Sequence, residues 1–217
     1  MRDDITNIAI EDYLLGLMPE RPAAFADLER RAHEHGWPLV GPVQGQFLYL
    51  LAKTSGARDG LEIGTATGYA AMWLLKAIVS NGGVLEAIER KPERIALAQA
   101  SIASAGYSDH FRVHEGEWFS ELMQLRGPYD LVFLDILRNL TNAVDSLRAL
   151  ELCVPLIRPG GIMIVDNVLC NGLVLEEDAA PTVRGIQQFN RAIMQHPDLE
   201  SVILPVRDGI ALCRKRD

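Results

Sequence analysis

Gly60-Leu61-Glu62-Ile63-Gly64-Thr65-Ala66-Thr67-Gly68-Tyr69 is the stretch on which the reading of this chain turns. An apolar run enters it and two glycines bracket its turn. Residues 70–78 leave it rich in Ala, Met, Leu and Lys, all good helix formers. That is a strand, a tight turn and a helix N-terminus. Gly64 removes the Cβ where the main chain has to approach a ligand. The free N–H groups of the first helical turn then face whatever lies above the strand. A lone G-x-x-x-G also marks turns that hold no ligand, so the flanking acids matter. Glu62 stands just before the turn and Glu89 closes the next expected strand. Carboxylates at those places suit an amino group or a ribose diol and repel phosphate.

Working outward, strands are expected over residues 61–64, 84–89, 111–114, 130–135 and 162–165, with helices between them over 68–79, from Pro92 to a stop at Gly106, and over 142–154. The run Asp-Leu-Val-Phe-Leu-Asp over 130–135 is apolar on both faces, as a central parallel strand should be. Pro159-Gly160-Gly161 reads as a turn, residues 183–195 as a last helix, and residues 201–206 and 209–214 as a hairpin around Arg207-Asp208-Gly209. Upstream, residues 8–18 and 23–35 form two short amphipathic helices, and residues 44–51 a mostly buried one. The first two cannot bury themselves alone. They should lie on the sheet, over the site or against a second subunit. Repeated βα units require right-handed crossovers. The expected fold is therefore α/β: a Rossmann-like, doubly wound, mostly parallel sheet with a C-terminal antiparallel hairpin and an N-terminal helical extension. It reads as one domain over 1–217, with the extension over 1–40 and the core over 41–217.

The totals exclude several classes. At 217 residues with 48% hydrophobic content, the chain can bury a sizeable core. A net charge of −8 argues against a general binder of phosphate backbones, which needs a basic surface. The three cysteines, Cys153, Cys170 and Cys213, are scattered and odd in number, which fits a reducing compartment better than a disulfide framework. The first residues lack an apolar signal core, and no 18-residue apolar run exists. A cytoplasmic protein without nucleic-acid or membrane partners is expected.

In doubly wound sheets, ligands bind beyond the carboxyl ends of the strands. Those ends carry Glu62 and Gly64, Glu89, residues 114–118, Asp135, and Asp166-Asn167. Together with Val40-Gly41, Gly45-Gln46, Gly68-Tyr69, Phe133-Leu134-Asp135, Pro159-Gly160-Gly161, Val165-Asp166-Asn167-Val168-Leu169, Phe189-Asn190 and Asp208-Gly209, they give a chain that resembles the divalent-metal-dependent O-methyltransferases of the catechol and caffeoyl-CoA type. The resemblance runs from about residue 12 to 215. Each piece is modest; their order is specific.

The resemblance implies S-adenosylmethionine as cofactor. Glu62 and Gly64 would face its methionine part, Glu89 would accept its ribose hydroxyls, Val40 and Tyr69 would line the pocket, and Gly116 to Trp118 would approach the adenine. It also implies a metal on Asp135, Asp166 and Asn167, with Asp135 shared with the cofactor site and the catalytic centre. Two carboxylates and an amide oxygen are hard donors, suited to Mg²⁺ or Ca²⁺. The acceptor implied is a small aromatic, catechol-like hydroxyl compound. Trp37, Trp118 and the 173–181 loop could wall its ring, although ordinary packing suits Trp37 better. A homodimer is expected from the amphipathic N-terminal helices and from the resemblance.

One position departs from the pattern. Where the family commonly reads Asp-x-x-Lys, this chain has Asp135-Ile136-Leu137-Arg138. A guanidinium does not release its proton at usable pH, so Arg138 is no general base. Three readings stay open at this point. In the first, the metal alone acidifies the hydroxyl while Arg138 holds an anionic substrate group; in the second, the substrate is acidic enough to need no base, or ordinary activity is lost; in the third, Arg138 is a surface residue. A dinucleotide-dependent oxidoreductase on the same scaffold is the competing class. It is weakened by Thr65 and Ala66, which stand where G-x-G-x-x-G would need its second glycine.

Overall fold

A computed structural model describes residue 5 and residues 7–217. Residues 1–4 and 6 of the expected extension lie outside the described residues. Seven strands, β1 (Asp59–Ile63), β2 (Val84–Glu89), β3 (Phe111–Glu115), β4 (Tyr129–Leu134), β5 (Ile157–Asp166), β6 (Leu199–Leu204) and β7 (Ile210–Lys215), belong to one mixed sheet in the order β3-β2-β1-β4-β5-β7-β6, and the chain divides into two compact units.

The first unit spans Ala9–Glu121. Helix α1 (Ile8–Leu17) carries no buried residue and leaves Ile8, Tyr13, Leu14 and Leu17 in solvent. Helix α2 (Ala23–His35) buries Phe25, Leu28 and Ala32 on one stripe and stops at Gly36, whose left-handed φ of 66° closes the last turn. Helix α3 (Pro42–Thr54) begins with proline in its first turn, where the missing N–H costs nothing. Strand β1 (Asp59–Ile63) then leads to helix α4 (Tyr69–Ser80), which is buried almost all round. A Cβ at Gly45 would overlap the Trp73 indole, so this glycine sets how closely α3 packs on α4. Phe25 meets Trp73 edge-on at 4.9 Å and Tyr69 at 6.3 Å, which ties α2 to α4. Strand β2 (Val84–Glu89), helix α5 (Pro92–Ser104) and strand β3 (Phe111–Glu115) complete the parallel part, with β1 paired to β2 and β2 to β3. Helix α6 (Trp118–Gln124), which the sequence reading did not foresee, follows.

The second unit includes Leu122–Asp217. Strand β4 (Tyr129–Leu134) is the buried central strand anticipated, and helix α7 (Ala143–Leu156) is capped by the Asn142 side chain, which accepts from the Asp145 N–H at 2.9 Å. Strand β5 (Ile157–Asp166) runs parallel to β4. The register jumps from Tyr129–Ile157 to Leu131–Ile162, so residues 158–161 bulge out of the ladder. The turn expected at Pro159-Gly160-Gly161 is thus a bulge inside a longer strand, with Gly160 at φ 70°. Helix α8 (Pro181–Gln195) lies close to α7, where a Cβ on Gly185 would come within 2.6 Å of the Ser146 hydroxyl. Strands β6 (Leu199–Leu204) and β7 (Ile210–Lys215) form the expected antiparallel hairpin, and β7 also pairs antiparallel with β5. All three cysteines are buried and unpaired. Among the described residues, no helix is long and apolar enough to cross a membrane.

Candidate active site

In the first unit, the turn after β1 gathers a set of acids in unusual surroundings. Gly64 donates its N–H to the Ile88 carbonyl at 3.0 Å, which fixes the start of the turn against β2. Ala66 takes a left-handed φ of 47° and directs its N–H to the Glu89 Oε2 at 3.1 Å. The other oxygen of Glu89 accepts from the N–H groups of Arg90 at 2.9 Å and Lys91 at 3.1 Å. Glu89 is buried, and three main-chain N–H groups satisfy its two carboxyl oxygens. It does not act as the helix cap, a place that Lys91 holds without a side-chain bond.

Glu62 is the opposite case. It is fully buried and, among the described residues, neither carboxyl oxygen has a hydrogen-bond partner. Burial, with a smaller push from the charge of Glu89, raises its pKa to about 8. The Thr65 hydroxyl lies near enough to oppose that rise, by more than the Glu89 charge adds to it, without completing a hydrogen bond. Leaving such a group without a partner costs about 1–3 kcal/mol, more once it is charged. A cationic ligand group would remove that cost. Among the described residues, Thr65 Oγ1, in the turn after β1, and Trp118 Nε1, beyond the end of β3, are likewise buried without hydrogen-bond partners.

The remaining residues expected at the cofactor lie in the same unit. Gly116 donates to the Glu89 carbonyl at 3.1 Å, which brings the end of β3 beside the end of β2. Its missing Cβ makes room for the Glu121 carboxylate. Trp118 opens α6 with its ring under the Arg90 guanidinium at 4.4 Å. Val40 is buried just before α3. Tyr69, buried at the start of α4, gives its hydroxyl to Glu29 at 2.7 Å, and Glu29 also takes the Arg21 Nε at 2.8 Å. Burial and the Glu29 carboxylate push the Tyr69 hydroxyl far above its ordinary pKa, so it offers a ring and a fixed position rather than a proton. Trp37 stacks on His35 at 4.7 Å with Arg31 over its face, which is packing within α2 and its end.

The second unit holds the expected metal ligands. Leu134 and Val165 are register partners, and neighbouring residues in parallel register share a face. Asp135 and Asp166 each follow that pair by one residue and so occupy adjacent strand ends. Asp166 is buried and its Oδ1 accepts the Asn167 N–H at 2.7 Å. Asn167 adopts a left-handed φ of 63°, which asparagine tolerates better than most residues. The segment that follows is braced from two sides. Val168 and Leu169 donate to the Gly209 and Asp208 carbonyls, and Asn190 on α8 donates to the Val168 carbonyl at 2.7 Å. Among the described residues, no group of three His, Cys, Asp or Glu side chains gathers as if for a metal. The set in question has two acids and an amide, a hard-oxygen donor set that fits Mg²⁺ or Ca²⁺.

Arg138 sits in a short 3-10 turn, Leu137–Asn139, and donates to the Asp208 Oδ2 at 3.3 Å. Asp208 also accepts the Asn171 N–H through its other oxygen. The Arg138–Asp208 pair and the Arg90–Trp118 contact join residues far apart in the chain, which no local pattern links. An acid at a hairpin turn and a cation next to Glu89 were the only signals available.

The family model for O-methyltransferases matches residues 20–216. A catechol O-methyltransferase of Niastella koreensis is 30% identical over 216 residues, covering 94% of this chain and 95% of that protein. Caffeoyl-CoA O-methyltransferase 5 of Nicotiana tabacum is 30% identical over 224 residues, covering 95% and 91%. The O-methyltransferase from Bacillus cereus, solved in complex with SAH, superposes with a TM-score of 0.85 at 27% identity over 96% of this chain and 97% of its own. These likenesses do not favour a dinucleotide-dependent oxidoreductase or a non-catalytic homologue. The chain is an enzyme that belongs to the O-methyltransferase family.

Proposed function

We propose that this enzyme transfers a methyl group from S-adenosylmethionine to an oxygen of a small aromatic, catechol-like acceptor, with a divalent hard cation at Asp135, Asp166 and Asn167. The observation that carries the cofactor assignment is the partnerless, buried Glu62 carboxyl beside the Glu89 carboxylate fixed by three main-chain N–H groups. Glu62 takes the ammonium of the methionine part, Glu89 the ribose hydroxyls, and Gly116 to Trp118 the base, with Val40 and Tyr69 on the walls. S-Adenosylmethionine supplies a methyl group on a sulfonium, activated for in-line displacement. The protein excludes water from it and aligns the attacking oxygen.

A cation at Asp135, Asp166 and Asn167 would supply Lewis acidity that eases ionisation of an acceptor hydroxyl. That role is needed because Arg138 takes the lysine's place and cannot accept a proton. Arg138 is half-exposed and uses one nitrogen on Asp208, which leaves it suited to holding an anionic group of the acceptor. The exposed apolar side of α1 supports a homodimer. The acidic balance of the chain supports a cytoplasmic enzyme of small molecules, without nucleic-acid or membrane partners.

The test is methyl transfer to a panel of catechols and caffeoyl thioesters, with and without EDTA and with Mg²⁺ or Ca²⁺ added back. Turnover that requires the metal, with affinity for S-adenosylhomocysteine unchanged by EDTA, is the expected result. Metal-independent turnover overturns the cation's role alone. Failure to bind S-adenosylhomocysteine overturns the cofactor assignment.

A further inference from the structure

The geometry assigns to Trp118 and Arg90 a specific task in cofactor selection: the Trp118 indole N–H donates a hydrogen bond to a ring nitrogen of the cofactor's purine, and the Arg90 guanidinium clamps the indole in that orientation. This rests on the reading that S-adenosylmethionine binds beside Glu62 and Glu89.

Three observations carry it. Trp118 is 7% exposed and its Nε1 has no acceptor among the described residues. A buried N–H without an acceptor is costly, and in native proteins such groups generally meet a ligand or ordered water. Trp73 also has a buried indole nitrogen, but it faces the Tyr69 hydroxyl closely enough to lower that group's pKa, within a packed aromatic cluster. Among the described residues, no hydrogen-bond partner meets Trp118 Nε1.

The second observation is location. Trp118 follows Gly116 by two residues, and Gly116 is bonded to the main chain of Glu89, the residue assigned to the ribose. A base attached to that ribose lies within reach of the segment 116–118.

The third is restraint. The Arg90 guanidinium covers the Trp118 ring at 4.4 Å and approaches Glu117 at 3.8 Å. Its own main-chain N–H is bonded to Glu89. Residue 90 therefore touches both the ribose acceptor and the indole, and one short segment sets their relative positions. An indole N–H only donates, so it selects a base edge that presents an acceptor nitrogen.

The test uses the whole protein labelled with ¹⁵N-tryptophan. Three indole N–H resonances are expected, for Trp37, Trp73 and Trp118, with the last assigned by its loss in Trp118→Phe. Saturating S-adenosylhomocysteine should move the Trp118 resonance downfield. By calorimetry, Trp118→Phe should bind S-adenosylhomocysteine about 5- to 30-fold more weakly, the worth of one buried hydrogen bond. Arg90→Ala should weaken binding roughly 3-fold by freeing the ring. If Trp118→Phe does not fold, Arg90→Ala assigns the resonance instead, because it removes the charge over that ring alone. An unmoved Trp118 resonance in a protein that binds S-adenosylhomocysteine, or equal affinity in Trp118→Phe, overturns the inference and spares the cofactor assignment. A wild type that does not bind S-adenosylhomocysteine overturns both.

Discussion

Arg138 and Asp208, 70 positions apart in the chain, meet at 3.3 Å, and Asp208 in turn holds the Asn171 N–H. A permanent cation is thereby fixed to the turn between β6 and β7, in the place where a proton acceptor would be expected.

Arg138→Lys should change the shape of the pH–rate profile. In the wild type, turnover should rise with ionisation of the acceptor alone, because no guanidinium titrates in range. The lysine variant should add a second ionisation, seen in kcat against pH. Arg138→Ala should raise KM for a carboxylate-bearing acceptor about 10-fold and for a neutral catechol much less. Both variants should unfold within about 1 kcal/mol of wild type in urea, since an exposed ion pair contributes little.

Glu62 makes the ligand-free protein sensitive to pH. Its folded pKa of about 8 lies above the ordinary 4.5 of an exposed carboxyl. Between those values the folded chain binds one proton more than the unfolded chain at this group. Stability should therefore fall as pH rises through that window, by at most about 1.4 kcal/mol per unit. Glu62→Gln should flatten the slope in urea titrations run at pH 5 to 8. A bound ammonium reverses the preference, so binding S-adenosylhomocysteine near pH 7 should release close to one proton. Calorimetry in buffers of different ionisation enthalpy measures this, and Glu62→Gln should abolish the release.

Tyr69→Phe removes the hydroxyl that Glu29 accepts while leaving the Arg21–Glu29 pair intact. The expected cost is about 1 kcal/mol, a fall in Tm of roughly 2–4 °C. Methyl transfer at saturating cofactor should be retained, because the ring stays in place. A loss of kcat with unchanged Tm would instead give the hydroxyl a chemical role.

Gly45→Ala tests the α3–α4 contact. The added methyl group collides with the buried Trp73 indole, so destabilisation of about 1–3 kcal/mol or more is expected in equilibrium unfolding. Gly106→Ala has open space around it but a φ of 79°, and should cost only about 1 kcal/mol from backbone strain.

What the sequence disclosed and what it hid follow from the range of each interaction. Strand β2 and helix α2 were legible to the residue because their apolar periodicity and stop signals are local. Helix α6 was not: its seven residues after Gly116 are too few to show a period. Turn chemistry at Pro159-Gly160-Gly161 was readable, but resumption of the ladder beyond it depends on a partner strand some 30 residues away. The acids at the strand ends were visible as types. Their states were not, since burial of Glu62 and the Ala66 donor to Glu89 come from chain brought in by folding, and the Arg90 and Lys91 donors from a local backbone path that residue types do not show. The Arg138–Asp208 pair had no local sign either.

The seat of Glu89 is built entirely from peptide N–H groups, contributed by Ala66, Arg90 and Lys91. Replacing the side chains at those three positions removes none of the donors. This stretch can therefore accumulate substitutions without displacing the carboxylate, provided the local backbone path is kept. Vulnerability is confined to changes that bend the chain, such as proline at position 66, 90 or 91, each of which would delete a donor outright.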